Sequence, residues 1–186
     1  MGKMQFVKEA LADFKKEGEL PSEFIKIFKP IVPEEFIYVW KKYGLGSFLD
    51  GYLRVIDPRA FAQLAEEIVA WGEQCVPLMV TALGDMLVWD VEAHSLEMIF
   101  CRYGIYKMPK GDFFRLLCDK SYVEKELEPI NYKEAVELHG VPDFDECFGY
   151  VPLLALGGGE TPDHLERCKV REHIYLISQM AGRIEE

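Results

Sequence analysis

The sequence is short of positive charge, of paired cysteines and of long apolar runs, and each shortage removes a class of function. Lysines and arginines number 21 against 32 aspartates and glutamates, a formal net charge of −11. Nucleic-acid and anionic-membrane surfaces need clustered lysine and arginine to meet phosphate, so direct binding to either is not expected. The five cysteines, Cys75, Cys101, Cys118, Cys147 and Cys168, are widely spread and contain no C-x-x-C pair. That pattern suggests neither a disulfide framework nor a zinc knuckle, but reduced, buried thiols. No apolar run approaches membrane-spanning length. The opening residues MGKMQFVKEALADF lack a secretory apolar core, and Phe6 stands where a myristoylation signal needs Ser or Thr. A cytoplasmic protein is the expectation. Internal repeats and low-complexity linkers are also missing, and none of Ser47, Ser95, Ser121 and Ser178 lies in a G-x-S-x-G nucleophile elbow.

What is present reads as an ordinary globular chain of 186 residues, 49% hydrophobic and 28% charged, long enough to bury a proper core. Phe6, Ala10, Leu11 and Phe14 recur at helical spacing over residues 3–16, an apolar face that also offers a route to a homodimer. Pro33-Glu34-Glu35 makes a good first turn for a helix carrying Phe36, Val39, Trp40 and Tyr43. A strand over Tyr52–Ile56 follows, and Pro58 opens a helix with Phe61, Leu64, Ile68 and Trp71 on one face. From residue 76 the period becomes extended. Four short runs, 76–82, 86–91, 96–102 and 104–108, separated by tight turns predict an antiparallel meander. Helices are expected from Asp112 and from Tyr132, then a buried strand over Tyr150–Leu156. Glycines 157–159 turn the chain into a Thr161-Pro162 helix start, and a final helix carries Ile174 and Ile177. The expected fold is α+β: an antiparallel meander flanked by helices, with a smaller, mainly helical C-terminal lobe packed on it and a seam near residue 110.

Charge is unevenly placed. Residues 31–90 hold nine acids against four bases, and residues 131–186 eleven against five. An acidic field on the sheet's helices and the C-terminal lobe suits a basic partner.

Few residues form a chemical constellation. His164, Cys168 and His173 resemble a metal cluster, with Cys147 as a possible fourth ligand. On one continuous helix, however, Cys168 and His173, five apart, diverge, so no metal is expected. GGGETP lacks the Lys-Ser/Thr of a phosphate loop, and Glu160 and Asp163 would repel phosphate. Glu172 and His173, adjacent on a helix, point about 100° apart and do not pair naturally. Asp85 and Asp90 flank a strand as turn residues. Trp40, Trp71 and Trp89 suit a core better than a base-stacking platform. No cofactor and no catalytic set is expected.

Three stretches carry a resemblance. W-x2-Y-G-x-G-S-F-x-D-G-x-L (Trp40 to Leu53, with Tyr43, Gly44, Gly46 and Gly51) and A-L-G-D-x-x-V-W-D (Ala82 to Asp90, with Gly84, Asp85 and Trp89) resemble the GAD-like domain. Family members usually read A-F-G-D where this chain has Ala82-Leu83-Gly84-Asp85. F-G-Y-V-P-L-L-A-L-G-G through R-E-H (Phe148, Gly149, Pro152, Gly157 and Gly158 to Glu172 and His173) resembles the C-terminal domain of type VI secretion DNase-immunity proteins. The resemblance implies a GAD-like domain over 1–109 and an immunity-type domain over 110–186. It implies a cytoplasmic, non-enzymatic protein that binds a cognate basic nuclease toxin and blocks or distorts its active site. Those motif residues read as scaffold. Contacts to a basic groove are expected from acids: Glu66, Glu67, Glu124, Glu126, Glu128, Asp143, Asp145 and Glu146. A hydrolase using Asp85, Glu172 or His173, or a ligand-binding regulatory adaptor, is the alternative.

Overall fold

The computed structural model describes residues 2–185. Its frame is one antiparallel meander of seven strands in chain order. The strands are β1 (Lys15–Gly18), β2 (Leu45–Phe48), β3 (Leu53–Val55), β4 (Cys75–Thr81), β5 (Met86–Asp90), β6 (Ser95–Phe100) and β7 (Ile105–Lys107). Before and within it run α1 (Lys3–Ala10), α2 (Ser22–Phe28), α3 (Glu34–Lys42) and α4 (Pro58–Ile68). After it come α5 (Phe113–Leu117), α6 (Lys120–Glu126), α7 (Tyr132–His139), the hairpin β8 (Glu146–Tyr150) with β9 (Leu165–Lys169), and α8 (Val170–Ala181).

Both faces of the sheet are covered, which is why β4 is buried at every position and reads as a continuous apolar run rather than an alternating one. On one face Leu53, Val55, Met79, Leu87 and Met98 pack with Val7, Leu11, Phe36, Trp40, Phe113 and Phe114 from the helices. On the other, Val80, Met86, Val88 and Ile99 meet Phe61, Leu64 and Ile68 of α4 and Val170, Ile174 and Ile177 of α8. Burial at this scale, at about 25 cal/mol per Å² of apolar surface, is the main stabilising term. Helix α4 begins as its sequence predicts: Asp57 accepts from the Arg59 amide, and Pro58 takes the first turn, where no N–H is needed.

Side chains on the sheet fasten the later residues to it. Arg54, almost fully buried in β3, donates to the carbonyl of Glu146 and, at 3.3 Å, to that of Pro142. The Tyr52 hydroxyl donates to the Leu127 carbonyl at 2.8 Å, and the Tyr132 hydroxyl to the Asp50 carbonyl at 2.9 Å. The Phe148 amide donates to the Ala82 carbonyl at 2.7 Å.

Several expectations need correction. The first helix ends at Ala10, not near 16. Asp13 beyond it accepts from the amides of Leu49 and Asp50, and Lys15–Gly18 then lie along β2 as an edge strand. That strand, KKEG, has no apolar alternation and is mostly exposed, so no periodic signal marked it. Gly46 opposite it is required by proximity: a Cβ there would sit 2.2 Å from the Lys15 carbonyl oxygen. The apolar face of α1 is largely used inside the chain, with Val7, Ala10 and Leu11 buried and Phe6 half-buried. The run Tyr150–Leu156 is not a buried strand. Its ladder stops at Tyr150, because Pro152 has no amide to extend it, and Val151 and Leu156 are exposed. Thr161-Pro162 starts only a single tight turn, Pro162–His164. Leu165–Lys169 is strand rather than helix, and the final helix begins at Val170.

Candidate functional site

The second and third motif stretches, far apart in sequence, meet around one imidazole. His173, in the second turn of α8, is buried. Gly84, in the β4–β5 turn at φ +78°, and Gly149, in β8, flank its ring. A Cβ on Gly84 would come 2.9 Å from the ring's Cδ2, and one on Gly149 would come 2.4 Å from Cε1 and 2.7 Å from Nδ1. Any side chain larger than hydrogen at either position would collide with the ring. The glycine of G-D, the glycine of F-G-Y and the histidine of R-E-H are thus parts of one fit.

Asp85, next to Gly84, is fully enclosed and accepts from Nη1 of Arg102, which is itself buried in the turn that follows β6. Thr81 Oγ1 accepts from the amides of Leu83 and Asp85, both at 3.1 Å, and sets the turn. Arg102 Nη2 donates to the Glu128 carbonyl at 2.6 Å, tying this pair to the segment after α6. Burial pushes the Asp85 carboxyl up to about 6 against the opposing pull of Arg102 and His173. Burial acts to lower the Arg102 guanidinium, but Asp85, with Tyr52 and Tyr103, outweighs it and holds it above its ordinary value. Enclosed and committed to Arg102, Asp85 is a structural carboxylate rather than an accessible base.

Close to the ring, Cys147 of β8 is the register partner of Cys168 of β9, with their sulfurs 3.7 Å apart. The two Sγ atoms and a His173 ring nitrogen all lie within 4.8 Å of one another. A hydrogen bond from Cys147 pulls the Cys168 thiol down to about 5; burial opposes this and His173 assists it. The same bond, reinforced by burial, holds Cys147 well above the usual thiol range. The expectation that Cys168 and His173 diverge assumed one helix through both. The chain instead changes from strand to helix between them, at Lys169–Val170, and brings them together. His164 stays outside the group, its Nδ1 2.8 Å from Thr161 Oγ1.

Cys168 and His173 both line an open cavity of about 430 Å³ whose walls include Leu153, Leu156, Leu176 and Met180, with Glu172 also lining it. A second group of possible ligands, Cys75, Asp90 and Glu97, is buried in the sheet. Its members are engaged. Asp90 accepts from the amides of Glu92 and Ala93, and Glu97 from Trp71 Nε1 at 2.7 Å. Burial, then the two carboxylates, pushes the Cys75 thiol up to about 12.

The remaining motif residues serve the frame. Trp40 is core, Tyr43 packs edge-on against Phe14, and Trp89 is half-buried. Gly44, Gly51 and Gly157 adopt positive φ at turns, and Gly158 approaches the Pro152 carbonyl too closely for a side chain. Among the acids expected at an interface, Glu66 and Glu124 are exposed, and Glu67 and Glu126 are half-buried. Glu128 pairs with Lys107. Asp143 and Glu146 share Arg167, while Lys169 joins Asp145 and Glu146. These three therefore sit in an internally compensated patch. Sequence reasoning passed over Arg54 and Arg102, although each is a lone cation inside an apolar run (YLRVI, IFCRY), which is a readable sign of a buried, partnered charge.

Residues 4–101 match the family described as GAD-like domain, and residues 110–181 match that described as T6SS immunity protein Tdi1, C-terminal. None of the curated proteins matches the chain. The crystal structure of Atu4351 from Agrobacterium tumefaciens has a similar fold. Its TM-score is 0.77 at 15% identity, over 92% of this chain and 88% of that one. Among the described residues no helix is long and apolar enough to cross a membrane. The two family matches, one after the other along the chain, span nearly all of it and share the fit around His173; the chain belongs to the family of type VI secretion immunity proteins in which a GAD-like domain is followed by a Tdi1-type C-terminal domain.

Proposed function

We propose that this immunity protein acts by stoichiometric binding to a cognate nuclease toxin, a DNase, and occludes or distorts the toxin's active site. The observation that carries the reading is the Tdi1-type immunity region over 110–181 on a chain of net charge −11. A nuclease groove is basic because it must hold phosphate, and an acidic body can occupy the same groove. Complementary fields also speed encounter, toward about 10⁸–10⁹ M⁻¹s⁻¹ at low salt against about 10⁵–10⁶ for an unsteered pair. The exposed acids Glu66 and Glu124 are the proposed steering contacts, with the neighbouring half-buried Glu67, which accepts from Gln63 Nε2, and Glu126 beside them. Asp143, Asp145, Glu146 and Glu128 would have to exchange intramolecular partners to join them.

The test is to co-purify the chain with the nuclease encoded beside it and to follow DNA cleavage while titrating the chain in. Cleavage should end at one equivalent, and the association rate should fall with salt and in Glu66→Lys/Glu124→Lys. No complex at low salt, or cleavage unaffected by excess chain, sinks the reading.

A further inference from the structure

We propose that Cys147, Cys168 and His173 form a three-ligand site for a thiophilic divalent cation of the zinc type, with a fourth position open to the adjoining cavity. The donor set is the soft thiolate and imidazole combination that zinc selects over magnesium or calcium. Its geometry fits: sulfurs bound tetrahedrally at about 2.3 Å from zinc lie about 3.8 Å apart, and these lie 3.7 Å apart without any rearrangement.

The ligands are also held before any ion arrives. Cys147 and Cys168 are fixed by strand pairing, and the buried imidazole is closely approached by Gly84 at Cδ2 and by Gly149 at Cε1 and Nδ1. Preorganisation of this kind lowers the ordering penalty of binding. The cavity of about 430 Å³, lined by Cys168 and His173, gives the ion an entry path and leaves room for water as fourth ligand. Binding replaces the thiol protons that Cys147 and Cys168 carry, which pass to solvent, and couples β8, β9 and α8 through one centre. Charge balances, since two thiolates and a neutral imidazole offset a divalent ion. The Cys75, Asp90 and Glu97 group offers no equivalent, because its oxygens are already held by amides and an indole. This inference stands apart from toxin binding: a chain that neutralises its nuclease without an ion, or binds an ion without neutralising, separates the two.

The full chain, reduced and freed of metal, is titrated with Co²⁺ and then Zn²⁺. One equivalent of Co²⁺ should give thiolate-to-cobalt charge transfer in the near ultraviolet and the visible bands of a tetrahedral centre, both lost on adding Zn²⁺. Zn²⁺ at about a hundred times its Kd should raise Tm by about 5–10 °C. Cys168→Ala, at a half-buried position that tolerates truncation, should weaken binding by more than the 10–100-fold typical of losing a second-shell group and abolish the Tm rise. Its far-UV circular dichroism serves as the folding control. Absence of charge transfer in the reduced chain, or binding unchanged in Cys168→Ala, overturns the assignment.

Discussion

Gly149→Ala isolates the central fit of the molecule. The new methyl would stand 2.4 Å from Cε1 of His173 and 2.7 Å from Nδ1. The ring has little room to shift, because Gly84 also approaches it closely, at Cδ2. Overpacking of a confined core group costs about 1–3 kcal/mol, and the double clamp places this case at the upper end. Gly149 is not in the positive-φ region, so alanine adds no backbone strain, and its smaller unfolded-state entropy offsets about 0.4–1 kcal/mol. The net expectation is a loss of about 2 kcal/mol, which lowers Tm by about 4–8 °C in a chain of this size. In a His173→Ala background the obstacle is gone, and the same substitution should be neutral or stabilise by up to about 1 kcal/mol. The sign therefore reverses between backgrounds, a coupling of about 2–3 kcal/mol. Urea unfolding of the four proteins, with chelator present so that no ion contributes, measures it. Equal destabilisation by Gly149→Ala in both backgrounds would refute the argument that these glycines exist to admit the histidine.

Two further perturbations test the buried charges. Arg102→Met leaves Asp85 enclosed without its cation and should cost about 3–5 kcal/mol near pH 8. Since burial already raises the Asp85 carboxyl to about 6, above its unfolded value of about 4, this group's contribution is fully present below pH 4 and lost as pH rises through 6. Removing Arg102 drives the folded value higher still, so the variant's deficit should shrink as pH falls toward 5, read by chemical denaturation at each pH; a deficit independent of pH contradicts this. Arg54→Met strips donors from the carbonyls of Glu146 and Pro142 and should destabilise by about 2–3 kcal/mol, as expected for losing charged hydrogen bonds, while leaving the far-UV circular dichroism unchanged.

Legibility followed the range of the signal. The strands β4 to β7 and the helices α3 and α4 were readable because period, caps and turn residues all sit within a dozen residues of one another. Strand β1 was not readable, because an exposed polar edge strand is specified by its partner, here Gly46 and the Asp13 carboxylate that holds the β2–β3 turn. The run Tyr150–Leu156 misled for a related reason: beyond the buried Tyr150 it is a loop beside the cavity, with Val151 and Leu156 exposed and Leu153 and Leu154 half-buried instead of filling a core. At the site, the motif glycines could be recognised as structural, but the object they accommodate lies up to 89 positions away in sequence, from Gly84 to His173. The pairing of Cys147 with Cys168 likewise depends on a hairpin register that 14 intervening loop residues between Tyr150 and Leu165 conceal.

The two family regions depend on each other physically, which a truncation can test. The sheet is built within residues 15–107, yet its second face is closed only when Val170, Ile174 and Ile177 of α8 settle against α4 and Ile99. Phe113 and Phe114 likewise complete the first face by packing on Phe36, the first stacked and the second tilted, with ring centroids 6.2 and 5.1 Å away. Arg54 lies in β3 and Arg102 in the turn after β6, but the carbonyls of Glu146, Pro142 and Glu128 that they serve come later in the chain. A chain ending at residue 109 would therefore expose Val80-facing apolar surface, strip Arg54 of the carbonyls of Glu146 and Pro142, and leave Arg102 with Asp85 but without the Glu128 carbonyl. Each such loss is on the order of several kcal/mol, against a total stability of about 5–15. We expect residues 1–109 alone to unfold without a cooperative transition and to bind a hydrophobic dye, and addition of separately expressed residues 110–186 to restore cooperativity. A sharp transition in 1–109 by itself would mean that the two regions are energetically independent, and that their meeting at His173 is a contact rather than a shared core.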